Sequence, residues 1–299
     1  MPPLAPLSFG DKAYWESRFT DNPEHFDWLV PAPVLLSSIQ SALSSSSAQS
    51  PEILHIGCGT SELSFHLRNL VSKPMHVSNV DFSLAALQTG NAKEEKIHPS
   101  SDPEQHMKWM SLDLLSHQDV VSFRRNTDLY DVIVDKSTSD AISCAEYVTI
   151  TLPYPITASD IQQAAQKNVD TARVHPMAVL LNNLAYLAKP NAKWLVLSYS
   201  SSRFAFMSLK NSEASVIESI EGLEFTDPRL FWRIANVETI DAPEEHQSSH
   251  VVGRPAIKLY LYILERTSVE AKIHAGYGQA KLSEKWTGEV AVMADTDLA

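Results

Sequence analysis

Four places in this 299-residue chain combine residue types and spacing that could do chemistry. The apolar run Ile53–Ile56 ends in Gly57-Cys58-Gly59, and three further apolar runs end in Asp81, Asp113 and Asp135. In an open α/β sheet, ligands bind outside the carboxyl ends of the strands, so polar or glycine-rich features at successive strand ends suit a nucleoside site. Glycines allow a tight turn and close backbone approach, and a following helix directs its free N–H groups at the same spot. Asp81 could accept hydrogen bonds from both ribose hydroxyls, or cap the next helix, which Ser83 could do equally well. Asp113 could contact an adenine amino group or be an ordinary loop carboxylate. Asp135-Lys136-Ser137-Thr138 would lie beside a reacting group, or form a solvated turn. The third glycine of the dinucleotide fingerprint is missing, so a nucleoside cofactor without a pyrophosphate fits better than a nicotinamide dinucleotide.

These residues need a frame, and the periodicity supplies one. Strands are expected at Ile53–Ile56, Met75–Val80, Lys108–Leu112, Tyr130–Val134 and Trp194–Tyr199. Helices are expected over 61–71, 83–96 and 174–188. Ser83 is a suitable N-cap, and Pro190 stops the last helix. Such alternation implies an α/β fold with a doubly wound, mostly parallel sheet. Phe231–Ile240 and Ile257–Glu265 read as an antiparallel pair at one edge. Ahead of the sheet, 9–20 and 34–43 read as helices, with Tyr14, Trp15, Arg18 and Phe19 grouped at near-helical spacing. This divides the chain into an N-terminal helical cap (1–50), a main domain (51–266) with a Pro-containing insertion at 147–173, and a C-terminal tail (267–299).

Composition narrows the function classes. Acidic residues outnumber basic ones, 36 to 24, for a formal charge of −12. That balance argues against a nucleic-acid groove and would favour a basic partner. The two cysteines, Cys58 and Cys144, form no disulfide framework, and Cys58 reads as a small buried filler. Met1–Gly10 lacks the features of a signal peptide, and no apolar run reaches the roughly 20 residues of a membrane span. The expected location is cytoplasmic. No metal site is expected: His246 and His250 share a metal-like spacing but lie in a polar segment that reads as a surface loop.

The motifs also resemble a known family, the seven-strand S-adenosylmethionine-dependent methyltransferases, in particular the elongation-factor-1-alpha lysine methyltransferases of the methyltransferase-like group. The matching stretches are Tyr14-Trp15-Glu16-Ser17-Arg18-Phe19, Ile53–Ser61, Val80-Asp81-Phe82-Ser83, Tyr130–Ala141 and Leu259-Tyr260-Leu261-Tyr262. The resemblance implies a seven-stranded Rossmann-like sheet and S-adenosyl-L-methionine as cofactor. It implies cofactor contacts at Trp15, Phe19, Trp28, Gly57, Cys58, Gly59, Asp81, Phe82, Asp113, Leu114 and Lys136. Trp15 and Trp28 could equally be core aromatics. If the acceptor is a lysine, Asp135 or Asp140 could orient its ammonium and relay a proton, and Tyr147 and Tyr154 could supply cation–π contacts. The family's Lys-Gly-Thr-Leu is Lys136-Ser137-Thr138-Ser139 here, and its Pro-Gly-Gly is Pro190-Asn191-Ala192. Both departures fall on the substrate side. The leading reading is a protein-lysine methyltransferase acting on a basic, translation-related target; the alternatives are a small-molecule N- or O-methyltransferase and a fold that binds cofactor without catalysis.

Overall fold

The computed structural model describes residues 9–23, 30–158, 170–208, 215–241 and 258–274. Trp28, His246, His250 and the chain after 274 lie outside the described residues. Two helices, α1 (Lys12–Asp21) and α2 (Leu36–Ser45), precede the sheet. The alternation then runs β1 (Ile53–Ile56), α3 (Leu63–Arg68), β2 (Val77–Asp81), α4 (Leu84–Ile97), β3 (Lys108–Ser111), α5 (His117–Arg125) and β4 (Tyr130–Lys136). After α6 (Thr138–Ser143) come three short strands, β5 (Val148–Thr151), β6 (Ile156–Ala158) and β7 (Thr171–Val174). They are followed by α7 (Pro176–Leu187), β8 (Ala188–Ser198), β9 (Trp232–Asp241), β10 (Lys258–Arg266) and β11 (Ala271–Ile273).

The central sheet has seven strands in the order β3-β2-β1-β4-β8-β10-β9. The first five are parallel neighbours, and β10 is antiparallel to both β8 and β9. The doubly wound, mostly parallel seven-stranded sheet expected from the sequence is therefore present. Strand residues alternate between two separate cores. Ile53, Val132, Val134, Leu195 and Leu197 join one with α2 and α3. Leu54, Ile56, Ile133, Trp194 and Val196 join the other with α5 and α7. Because both faces are covered, the strands read as continuous apolar runs rather than alternating ones. The strand order reverses between β1 and β4, which opens a crevice at their carboxyl ends.

The insertion is not a bare loop. β5 pairs with β7, and β6 pairs antiparallel with β11. Within the segment read as a tail from 267, Ala271–Ile273 is tied into the insertion by that pairing. The helix α5 gave no separate expectation in the sequence. It is capped by Ser116, whose Oγ accepts from Asp119 N, and it buries Val120, Val121 and Phe123. No helix among the described residues is long and apolar enough to cross a membrane.

Candidate active site

The crevice at the sheet reversal opens into a cleft. Its floor is the turn after β1. Gly57 and Gly59 have φ of 53° and 49°, the left-handed region in which a side chain is strained. The turn is fixed on both flanks. Toward β2, Cys58 N donates to Val80 O at 3.1 Å and Gly59 N donates to Asp81 Oδ2 at 2.9 Å. Toward β4, Thr138 Oγ1 donates to Ile56 O at 2.9 Å. A Cβ on Gly57 would collide with Oγ1 of Thr138 and lie 2.6 Å from its Cγ2. The Thr138 motif and the glycine turn are thus one packed unit.

Asp81 closes β2 and is buried. Its Oδ1 accepts from Ser83 N at 2.9 Å, while Oδ2 takes the Gly59 N–H. Burial pushes its carboxyl up to about 6, with the Ser83 and Gly59 N–H groups pulling the other way. Ser83 caps α4 through its own hydroxyl, which accepts from Ala86 N. The helix start therefore does not depend on Asp81, whose remaining lone pairs stay available to a ligand.

The roof comes from the N-terminal segment. Trp15 stacks on Phe19 with centroids 6.0 Å apart, and its Nε1 donates to Phe9 O at 2.7 Å. Lys12 forms an ion pair with Asp113 and sits 5.9 Å from the Phe82 ring centroid. Gly10 touches the backbone of Cys144 and Ala145 so closely that a Cβ would clash. Trp15, Phe19, Gly57, Cys58, Gly59, Asp81, Phe82, Asp113, Leu114, Lys136 and Asp140 all line the cleft. Burial pushes the Cys58 thiol up, as suits a filler rather than a nucleophile.

Asp135 is placed differently. It is fully buried and absent from the cleft wall. Its carboxylate accepts from Thr138 N at 2.8 Å, from Ser139 N and from the Ser139 hydroxyl. It thereby holds the start of α6 and the Ser137 residue with φ of 73°. Burial pushes its carboxyl up to about 7 against those hydrogen bonds. Asp135→Ala should cost about 2 kcal/mol in urea unfolding, the scale of a lost cap. Asp135→Asn should recover much of that, because it keeps one acceptor oxygen.

Asp140 faces the cleft but is engaged. Arg203 binds it through Nε at 2.8 Å and Nη2 at 2.7 Å, Ser198 Oγ donates to it, and Tyr199 N donates at 3.2 Å. Burial raises its carboxyl, while Ser198 and Arg203 draw it back down. Tyr199, 49% exposed, completes this end of the wall. Tyr147 lies edge-on to His175, and Tyr154 is buried against Phe225. Neither of these two tyrosines lines the cleft.

Sequence reasoning missed Lys12, Tyr199, Arg203 and the buried His55, which also lines the cleft. A lone lysine or arginine in a polar stretch carries no periodic signal. His55 stands inside a strand whose apolar character hid it. Among the described residues no cluster of His, Cys, Asp and Glu could hold a metal ion.

No family model matches the chain. It is 30% identical over 144 residues to Methyltransferase srdJ of Neurospora crassa, covering 48% of this chain and 57% of that protein. The chain thus matches just over half the length of that relative. Among solved structures, it resembles a SAM-dependent methyltransferase from Anabaena variabilis with a TM-score of 0.46 and 8% identity, covering 84% of this chain and 92% of the other. It also resembles magnesium protoporphyrin IX methyltransferase from Synechocystis with bound SAH, with a TM-score of 0.40 and 11% identity over 78% and 82% of the two chains.

Proposed function

We propose that this chain is an S-adenosylmethionine-dependent methyltransferase whose acceptor is a small molecule. The observation that carries the cofactor assignment is the Asp81 carboxylate, tied to the Gly59 turn at the point where the strand order reverses. The residues fit the group. Gly57 and Gly59 leave a cradle without Cβ atoms, Asp81 presents acceptors suited to a ribose diol, and Trp15, Phe19 and Phe82 offer apolar walls to a nucleoside. Bound there, S-adenosylmethionine supplies a methyl group already activated on a sulfonium. The chain's own residues hold, orient and exclude water. Asp81 would fix the ribose and Asp113 would lie at the adenine end. Lys136 and Thr138 would shape the wall toward the reacting centre.

The acceptor assignment rests on charge. Of the carboxylates lining the cleft among the described residues, Asp113 is paired with Lys12, Asp140 is paired with Arg203, and Asp81 is committed to the ribose in this reading. A lysine ammonium entering this cleft would find the carboxylates of the wall already paired, Asp140 with Arg203 and Asp113 with Lys12. A neutral acceptor needs no such carboxylate. The lysine reading draws its support from the Tyr14–Phe19 and Asp135–Ala141 stretches and from the net charge of −12, which would suit a basic protein such as a translation factor.

Incubation of cell extract with the protein and methyl-labelled cofactor separates the readings. Label is expected in the metabolite fraction. Label confined to protein lysines would establish the second reading and sink the first. Calorimetric binding of the cofactor with no label in either fraction would identify a binding fold without turnover.

A further inference from the structure

Next to the cleft, behind the Asp113 loop, lies a buried polar chain that the proposed reaction does not use. Asn183 on α7 is fully buried, in the apolar core between the sheet and the insertion. Its Nδ2 donates to Leu114 O at 2.8 Å, and its Oδ1 accepts from Tyr154 Oη at 2.8 Å. Leu114 belongs to the loop after β3 that carries Asp113 and lines the cleft. The other end of that loop is held by Leu112 N donating to Asp81 O at 2.9 Å. The loop is therefore pinned at two points, one on the strand that presents Asp81 and the other on Asn183. Tyr154 comes from the insertion and also packs edge-on against His117 at the start of α5, with centroids 5.7 Å apart.

We infer that Asn183 is a positioning residue for the nucleoside end of the cofactor site, and that the insertion, through Tyr154, is part of the machinery that fixes it. The inference rests on the methyltransferase reading above. Leu114 O can only accept, so the Asn183 amide must turn its NH2 toward the loop, and Tyr154 Oη fixes that orientation by donating to the remaining oxygen. Loss of either contact leaves a buried polar group without its partner, and the loop carrying Asp113 is the part able to move.

The adjacent Asn182 provides an internal control. It is equally buried on the same helix, but its Nδ2 donates to Thr226 O, away from the cleft. Binding of S-adenosylhomocysteine by calorimetry is compared for wild type, Asn183→Leu, Tyr154→Phe and Asn182→Leu. Each is paired with a thermal melt and with binding of S-inosylhomocysteine, which lacks the adenine amino group. Asn183→Leu is expected to weaken S-adenosylhomocysteine binding about tenfold and Tyr154→Phe about threefold, as fits one or two lost buried hydrogen bonds. Both should also narrow the preference for adenine over hypoxanthine. Asn182→Leu should lower the melting temperature comparably while leaving affinity within about twofold. Should Asn183→Leu fail to fold, Tyr154→Phe carries the comparison. Equal effects at Asn182 and Asn183, or an unchanged adenine preference, would overturn the inference alone. Absence of binding by the wild-type protein would overturn the cofactor reading, and this inference with it.

Discussion

Asp81→Ala is expected to weaken binding of S-adenosylhomocysteine by at least about a hundredfold, because it removes two charge-assisted hydrogen bonds worth roughly 1.5–3 kcal/mol each. It also strips Gly59 N of its acceptor, so the floor of the cleft loses definition along with the ribose anchor. Asp81→Asn separates the two effects, since the amide oxygen can still receive the Gly59 N–H while the charge is gone. The pH dependence provides a second, sharper readout. Burial pushes this carboxyl up to about 6, so wild-type affinity should fall as pH drops through that value. In Asp81→Asn the same window should be flat. Stability of the free protein runs the opposite way. A carboxyl whose folded pKa exceeds its unfolded value near 4 contributes most below about pH 4, and that contribution is lost as pH rises through about 6. Relative to Asp81→Asn, the unliganded wild type should therefore gain thermal stability on acidification between about pH 6 and 4, while its cofactor affinity declines. Parallel trends in the two measurements would refute the placement of Asp81 as a buried ligand-facing carboxylate.

What the chain discloses without a structure follows the range of the interactions. The strands expected at Ile53–Ile56, Tyr130–Val134 and Ile257–Glu265 were legible because burial on both faces makes each one an apolar run. The edge pair β9 and β10 was legible for a related reason, two β-rich segments close in sequence. The glycine turn and Asp81 stood out because they sit at strand ends, where polarity changes abruptly. The insertion's strands were not legible. Three- and four-residue segments pair across gaps such as Ile156 to Ile273, and no local pattern encodes such a partner. Arg203 and Lys12 were hidden similarly, since each acquires its role from a carboxylate distant in sequence. Asp135 illustrates the converse. Its position after a strand suggested chemistry, but the next turn folds back and uses both oxygens to fix α6. In this stretch the acidic residue that reaches the cleft is Asp140, and its charge is already matched by Arg203.

The coupling between the two motifs around the cleft predicts the second large effect. Gly57→Ala should destabilise the protein by about 2–5 kcal/mol, combining a left-handed backbone cost of roughly 1–2 kcal/mol with overpacking of roughly 1–3 kcal/mol. The three atoms nearest such a Cβ all belong to the Thr138 side chain. Thr138→Ala alone should cost about 1 kcal/mol for the lost hydrogen bond to Ile56 O. In the double variant the alanine at 57 finds space where Oγ1 and Cγ2 stood. Its cost should thus fall short of the sum of the singles by about 1–2 kcal/mol, the scale of coupling between residues in contact. The backbone cost at position 57 remains, so the double variant stays less stable than wild type. Urea midpoints for the four proteins measure the cycle directly. Strict additivity would mean that the two motifs do not touch. A coupled result would give the Asp135-Lys136-Ser137-Thr138 stretch a concrete physical duty, with Asp135 holding the start of α6 and Thr138 holding the glycine turn. The contacts that shape the floor of the cleft then run through Asp135 and Thr138, with the Ser139 hydroxyl adding to the hold on Asp135.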